Sequence, residues 1–179
     1  MNFWIGTSGF QYAEWKGNFY PEDLPAAKML PFYAERFSTT EINYTFHRIP
    51  APKTIDNWKA QTPEKFRFAF LREFPAMRAA FEFRHDSWFD DEIFDLLKSR
   101  NIALCIADTA DLSTPKKITS DYGYLRLRRE DYNESDIERW ATFVREQESK
   151  WRDAFVYFKH EEAGIGPRLA TQMTALLAK

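Results

Sequence analysis

The stretch RFAFLREFPAMRAAFEFRH, residues 67–85, contains two runs with the composition of buried strands, RFAF and AAFEFR. Only the eight residues of LREFPAMR separate the two runs, and Pro75 interrupts that segment. Two parallel strands need a crossover of about a dozen or more residues, and the crossover usually contains a helix. The stretch therefore predicts two strands that no ordinary strand–helix–strand unit connects.

Strand-like runs alternate with helical patterns along the rest of the chain. The strand-like runs, rich in β-branched and aromatic residues, are FWIGTS (3–8), TTEINYTF (39–46), FRFAF (66–70), AAFEFR (79–84), IALCIAD (102–108), YLRLR (124–128) and FVYFKH (155–160). The helical patterns cover residues 25–37, 52–61, 90–100, 134–149 and 167–178. The alternation predicts an α/β fold of the TIM type, a (β/α) barrel in which seven of an expected eight strands are recognisable. One strand–helix unit is missing between Phe70 and Arg78.

Length and composition favour a single domain, residues 1–179, in a reducing cytosol. The 25 basic and 27 acidic side chains give a net charge of −2, so no field of the whole molecule attracts nucleic acid or anionic membrane. Cys105 is the single cysteine, which excludes a disulfide framework. We expect neither a secretion signal nor a membrane span, and composition makes no prediction of oligomeric state.

The motifs resemble those of a known family, in the family's order and over nearly the whole chain. The resemblance rests on WIGTSGFQYAEWKGNFYP, FYAERFSTTEINYTFHRIPAPKTIDNWKAQTPEKFRFAF, AAFEFRHDSWF, ALCIADT, YGYLRLR and VYFKHEEAGIG. These segments are similar to the YecE-like proteins, a TIM-barrel domain of unknown function. The resemblance implies the barrel fold and supplies no established reaction.

The chain departs from the family's pattern after the third strand. Family members continue there with a lysine-bearing loop, a helix, a fourth strand and another helix, whereas Leu71 stands here where the lysine is expected. Either that unit is deleted, or a segment has been left out of a sequence written as continuous. The second explanation is favoured because removing a strand from a closed barrel exposes two unpaired edges.

Candidate ligand contacts occur at the ends of the first two strands. Thr7 and Ser8 lie in GTSG, where small residues let a backbone approach a ligand; the alternative is a tight strand exit covered by an aromatic plug. On the second strand, alternation turns Asn43 and Thr45 into the barrel, and both are expected to contact ligand. His47 is interpreted as a surface histidine.

Two of the next candidate residues, Glu82 and Asp108, are carboxylates. Alternation in AAFEFRH turns Glu82 and Arg84 inward, either as part of a structural ion-pair network or as a general acid or base beside an anion clamp. Asp108 ends IALCIAD, where it either caps a loop or forms with Glu82 the carboxylate pair of an acid–base enzyme. Trp88, in the loop after AAFEFRH, is expected to stack on ligand.

Cationic residues on the last strands predict an anionic ligand. The inward residues are Arg126, Arg128 and Lys159, and Gly164 and Gly166 precede a helix whose free amides are expected to point at an anion. Internal pairing of these cations with Glu82 and Glu41 is the alternative.

The combined prediction is a TIM barrel that binds a phosphate- or carboxylate-bearing small molecule at its carboxyl-terminal mouth. As an enzyme it would be a hydrolase or lyase that uses Glu82 and Asp108 without a cofactor. We expect no metal site, because the three histidines follow three different strands. The alternatives are a nucleic-acid-binding module and a scaffold without turnover.

Overall fold

The computed structural model of the protein describes residues 1–42, 52–70, 78–111 and 113–178. The strands in these ranges are β1 (Asn2–Thr7), β2 (Thr39–Ile42), β3 (Arg67–Phe70), β4 (Ala80–Phe81), β5 (Ala103–Asp108), β6 (Tyr122–Leu127) and β7 (Asp153–Phe158). The α-helices are α1 (Met29–Ala34), α2 (Pro52–Ala60), α3 (Asp91–Ser99), α4 (Glu134–Arg145) and α5 (Ile165–Leu177). Short 3₁₀ turns cover Ala13–Trp15, Ala26–Lys28 and Asp86–Trp88.

The described strands form two sheets. Five strands lie in the order β1-β7-β6-β5-β4, and β2 pairs with β3. The pairs β2–β3, β4–β5 and β5–β6 are parallel, as expected for strands that alternate with helices. The predicted α/β class is thereby confirmed.

The chain divides into two compact units. The first unit contains Met1–Trp4, Glu73–Val156 and Gln172–Lys179, and the second contains Ile5–Arg72 and Tyr157–Thr171. None of the helices in the described ranges has the length and hydropathy of a membrane-spanning segment.

Helix boundaries follow local capping signals. Asp90 caps α3 by accepting a hydrogen bond from the Glu92 amide at 2.8 Å, and Asn133 and Asp136 form a capping box at the start of α4. Helix α5 begins at Ile165, two residues before the expected first-turn proline. Caps made by neighbouring residues are readable in a sequence, so α3 and α4 begin where the pattern predicts.

In the first unit, helix α3 packs against the five-stranded sheet. Leu104 of β5 is buried against Phe94 and Leu97 of α3, and Phe83 packs against the same cluster. Phe81 pairs with Leu104 in the register of β4 and β5. Phe83 therefore lies on the helix side of the sheet, and the alternation of AAFEFR predicts the opposite side for Glu82.

The second unit brings β1 unusually close to β2. A Cβ on Gly6 would lie 2.2 Å from the Thr39 carbonyl oxygen and 2.8 Å from the Tyr33 hydroxyl. The Tyr33 hydroxyl receives a hydrogen bond from the Thr7 amide at 2.8 Å and donates to the Thr39 carbonyl at 3.1 Å. Burial raises the pKa of Tyr33 to about 12, so this phenol remains a neutral donor.

Asp153 anchors the amino-terminal strand in the first unit. Its Oδ1 accepts hydrogen bonds from Asn2 Nδ2 at 2.9 Å and Trp4 Nε1 at 3.0 Å, and Oδ2 pairs with Arg78. Burial acts to raise the pKa of Asp153, but the hydrogen bonds from Arg78, Trp4 and Asn2 outweigh it and hold the pKa below its usual range. The carboxylate therefore stabilises the folded state only while it is ionised.

Replacing Asp153 with asparagine is expected to lower the free energy of unfolding by about 1–2 kcal/mol at neutral pH. Because the folded-state pKa is depressed, the contribution is complete above the unfolded pKa of about 4 and is lost as pH falls through the folded pKa. Urea unfolding of the parent and Asp153→Asn between pH 3 and pH 7 should show the two curves converging in acid. A difference that stays constant over this range would contradict the ionised role.

Candidate functional site

A cluster of charged side chains lies on the face of the five-stranded sheet opposite α3, toward the carboxyl ends of β4, β5 and β6. We call Arg84, Arg126 and Arg128, together with Glu82, the arginine cluster. Ala107 pairs with Arg126 in the register of β5 and β6, so both side chains share that face. Because alanine is small, the long Arg126 side chain can cross β5 and meet Glu82, which follows β4.

Glu82 contacts all three arginines of the cluster. Arg126 Nη1 donates a hydrogen bond to Glu82 Oε2. The other carboxylate oxygen, Oε1, lies 3.6 Å from Arg84 Nε and 3.7 Å from Arg128 Nη1. The guanidinium groups of Arg84 and Arg128 therefore converge on Oε1 of Glu82, while that of Arg126 binds Oε2.

The members of the cluster differ sharply in exposure. The side chains of Arg126 and Glu82 are 5% and 11% exposed, whereas those of Arg128 and Arg84 are 30% and 68% exposed. The Arg126–Glu82 pair is thus the buried part of the cluster, and Arg84 and Arg128 are the cations that reach solvent. The contacts of Glu82 with Arg126 and Arg128 favour the ion-pair network for Glu82.

Asp108 occupies a different environment. It pairs with Leu127 in the register, one residue after Ala107, which turns its side chain to the helix side of the sheet. Its Oδ2 accepts hydrogen bonds from the Tyr132 hydroxyl at 2.8 Å and from Trp140 Nε1 at 3.3 Å. Burial, and then the hydrogen bond to Asp108, raise the pKa of Tyr132, so the phenol keeps the proton that it donates.

The expected carboxylate pair is corrected by this register. Glu82 and Asp108 belong to opposite faces of one sheet, and each is held by its own set of donors. Sequence reasoning missed Tyr132 and Trp140 as partners of Asp108. The available signal was that Tyr132 directly precedes Asn133, the cap of α4, and α4 follows the β5–β6 pair.

Trp88 lies on the helix side rather than with the arginines. Its ring stacks on Phe83, with centroids 5.1 Å apart and planes 2° from parallel, and it remains 49% exposed. Phe83 packs against Phe94 and Leu97 of α3, whereas Arg84, the next residue, belongs to the opposite face of the sheet. The predicted stacking of Trp88 on a ligand of the arginine cluster is not supported by this placement.

Thr7 and Ser8 are buried in the second unit and bonded within the chain. Thr7 Oγ1 donates to the Gly9 carbonyl at 2.6 Å, and Ser8 Oγ donates to Glu41 Oε1. Both side chains are at most 1% exposed, so a ligand cannot reach them. Buried Trp15 and Tyr20 stack nearby in the same loop, which favours the aromatic plug over the ligand contact.

Gly164, just before α5, and Gly166, in its first turn, serve packing. A Cβ on Gly166 would lie 3.1 Å from the His160 carbonyl oxygen, and Gly164 has φ +70°, a conformation that favours glycine. The Ile165 amide already donates to the Glu162 carbonyl at 3.0 Å, and Pro167 has no N–H. The expected cradle of free amides is therefore mostly lost, which corrects the anion role of Gly164 and Gly166.

The remaining predicted residues have separate outcomes. Lys159 Nζ lies 3.6 Å from Glu161 Oε1, an internal pair in the second unit. Asn43, Thr45, His47 and the junction at Leu71 lie outside the described residues. Within the described ranges, no group of three or more His, Cys, Asp or Glu residues is arranged to hold a metal ion.

Comparison with protein families decides the relationship of the chain. The family model described as "Protein of unknown function DUF72" matches residues 4–70 and 69–179. The chain belongs to the DUF72 family. The YecE-like resemblance is thereby confirmed, because both names denote this family. The two matches meet at Ala69 and Phe70, the end of β3.

Solved structures of DUF72 proteins are similar to this chain. A DUF72 protein from Thermotoga maritima MSB8 is 20% identical, with a TM-score of 0.86 and coverage of 100% of both chains. One from Enterococcus faecalis V583 is 15% identical, with a TM-score of 0.78 and coverage of 99% of this chain and 96% of that chain. At these identities the similarity shows the fold alone. Comparison with curated protein sequences gives no match.

Proposed function

We propose that this DUF72 protein binds an anionic small molecule, bearing phosphate or carboxylate, at Arg84 and Arg128. The observation that carries the proposal is the convergence of these two solvent-reaching guanidiniums on one oxygen of Glu82. A guanidinium presents a planar fork of donors that matches carboxylate and phosphate oxygens. An anion placed beside Glu82 Oε1 would accept from both arginines.

The buried Arg126–Glu82 pair supports a role of Arg84 and Arg128 in binding an anion. Arg126 donates a hydrogen bond to the second oxygen of Glu82 and so fixes the position of the carboxylate. The fixed carboxylate in turn holds Arg84 and Arg128 in place. Three guanidiniums and one carboxylate give these four side chains a net charge of +2. In this proposal Glu82 positions the arginines, and Asp108, on the opposite face of the sheet, takes no part in the site.

We also propose the TIM-type (β/α) barrel as the architecture of this chain. Support comes from parallel strands that alternate with helices and from membership of the family. The arginine cluster lies toward the carboxyl ends of its strands, the end at which TIM barrels bind ligands. A reducing cytosol remains the proposed compartment, and the single cysteine, Cys105, is buried.

Replacing Arg128 with alanine is expected to abolish stabilisation by anionic ligands. A thermal-shift screen of phosphorylated and carboxylated metabolites should give selective increases in Tm for the parent, since a ligand at 100 times its Kd adds about 2.7 kcal/mol. The matched control is Arg168→Ala, an exposed arginine on α5.

The control variant should keep the parent's response, whereas Arg128→Ala should lose it. If no anion stabilises the parent, or if Arg128→Ala responds as the parent does, the anion site is not at this cluster.

A further inference from the structure

We infer that the ligand group at Arg84 and Arg128 is a dianionic phosphomonoester rather than a singly charged anion. This inference rests on the proposed function and names the class of ligand that the same site takes. It follows from three features of the arginine cluster: its spacing, its net charge and the carboxylate that it already contains.

The spacing suits one tetrahedral group. Arg84 Nε and Arg128 Nη1 lie 3.6 Å and 3.7 Å from the same carboxylate oxygen. These distances are longer than the 2.7–2.9 Å or so of a charge-assisted hydrogen bond, so neither nitrogen is at optimal distance from Glu82. A phosphate group with two oxygens directed at the two nitrogens can shorten both contacts at once.

The net charge of +2 favours a dianion. The cluster contains one carboxylate and three guanidiniums, and Glu82 makes its direct hydrogen bond with Arg126, so positive charge exceeds negative charge among these four side chains. A phosphomonoester has a second pKa of about 6 and carries nearly two negative charges at pH 8. A sulfate monoester has the same tetrahedral shape but only one negative charge.

The carboxylate of Glu82 also favours a ligand of higher charge, because Glu82 competes with the ligand for the guanidiniums of Arg84 and Arg128. A ligand carboxylate offers the arginines the same group that Glu82 Oε1 already presents, at the same single charge. The net attraction of the positively charged cluster for a ligand grows with the ligand's negative charge, so a dianion competes with Glu82 for the arginines more strongly than a monoanion does. Singly charged anions are therefore weaker ligands of this site than a dianion.

The test compares phenyl phosphate with phenyl sulfate and benzoate, which share the same ring, by isothermal titration calorimetry at pH 8. We expect phenyl phosphate to bind at least about ten-fold more tightly than either monoanion. Arg84→Gln and Arg128→Gln should each lower its affinity about ten-fold or more, since charge-assisted hydrogen bonds are lost, while Arg168→Gln leaves it unchanged.

The outcomes separate the two proposals. If all three compounds bind equally and Arg128→Gln weakens all of them, the dianion inference is wrong and the anion site stands. If none binds, or if both cluster variants bind as the parent does, both proposals fail. Circular dichroism of each variant confirms that it is folded before its affinity is compared.

Discussion

Gly6→Ala is expected to lower the free energy of unfolding by at least about 4 kcal/mol, the largest effect of any single methyl addition proposed for this chain. The added Cβ would stand 2.2 Å from the Thr39 carbonyl oxygen, a separation that real side chains do not show. Because Thr39 contributes backbone there, no change of rotamer relieves the clash, and β1 must move away from β2. The displacement would also break the hydrogen bond from Tyr33 to Thr39.

Urea unfolding followed by circular dichroism measures this loss, and expression in inclusion bodies would be its extreme form. Ala27→Ser is the matched control, since it adds one heavy atom at an exposed position and should change stability by less than about 0.5 kcal/mol. A loss for Gly6→Ala as small as that of the control would mean that the two strands are not in close contact.

Glu82→Ala is expected to cost about 3–5 kcal/mol of stability because it deprives a buried guanidinium of its carboxylate. The Arg126 side chain is only 5% exposed, so water cannot replace the lost partner without a local rearrangement. Glu82→Gln keeps an acceptor oxygen and should fall between the parent and the alanine variant. The measurement is the midpoint and slope of urea unfolding at pH 7.

A surface pair provides the comparison. Arg36 Nη1 lies 3.3 Å from Glu35 Oε2, and the Arg36 side chain is 42% exposed. Glu35→Ala removes this partner and should lower the free energy of unfolding by less than about 1 kcal/mol. In a double-mutant cycle, Glu82→Ala combined with Arg126→Ala should cost clearly less than the two single changes added together. Additive costs would show that the buried pair is not coupled.

Local patterns of the sequence predicted the parts of the fold that depend on neighbouring residues. The alternation in AAFEFR placed Phe83 and Glu82 on opposite faces because strand side chains alternate whatever the tertiary context. The acidic start of α3 predicted its first turn for a similar reason. Each of these inferences needs only a few consecutive residues.

The candidate site was predicted less well because it depends on register between strands. Sequence identified Glu82, Arg126 and Arg128 as inward residues, but which of them meet is decided by how β4, β5 and β6 align. Asp108 lies at the end of β5, one residue after Ala107, so its side chain points to the face opposite the arginine cluster. It therefore contacts Tyr132 and Trp140 instead of forming the predicted catalytic pair with Glu82.

The packing of Gly164 and Gly166 at the start of α5 bears on how evolutionary variation in this family is interpreted. Gly164 is held by a left-handed backbone and Gly166 by the His160 carbonyl, so selection for a folded chain alone would keep both glycines. Their invariance among relatives would carry no information about a ligand. Arg84 and Arg128 are different, because they are the members of the arginine cluster whose side chains reach solvent. Relatives that exchange these two arginines together would mark the lineages in which the ligand has changed.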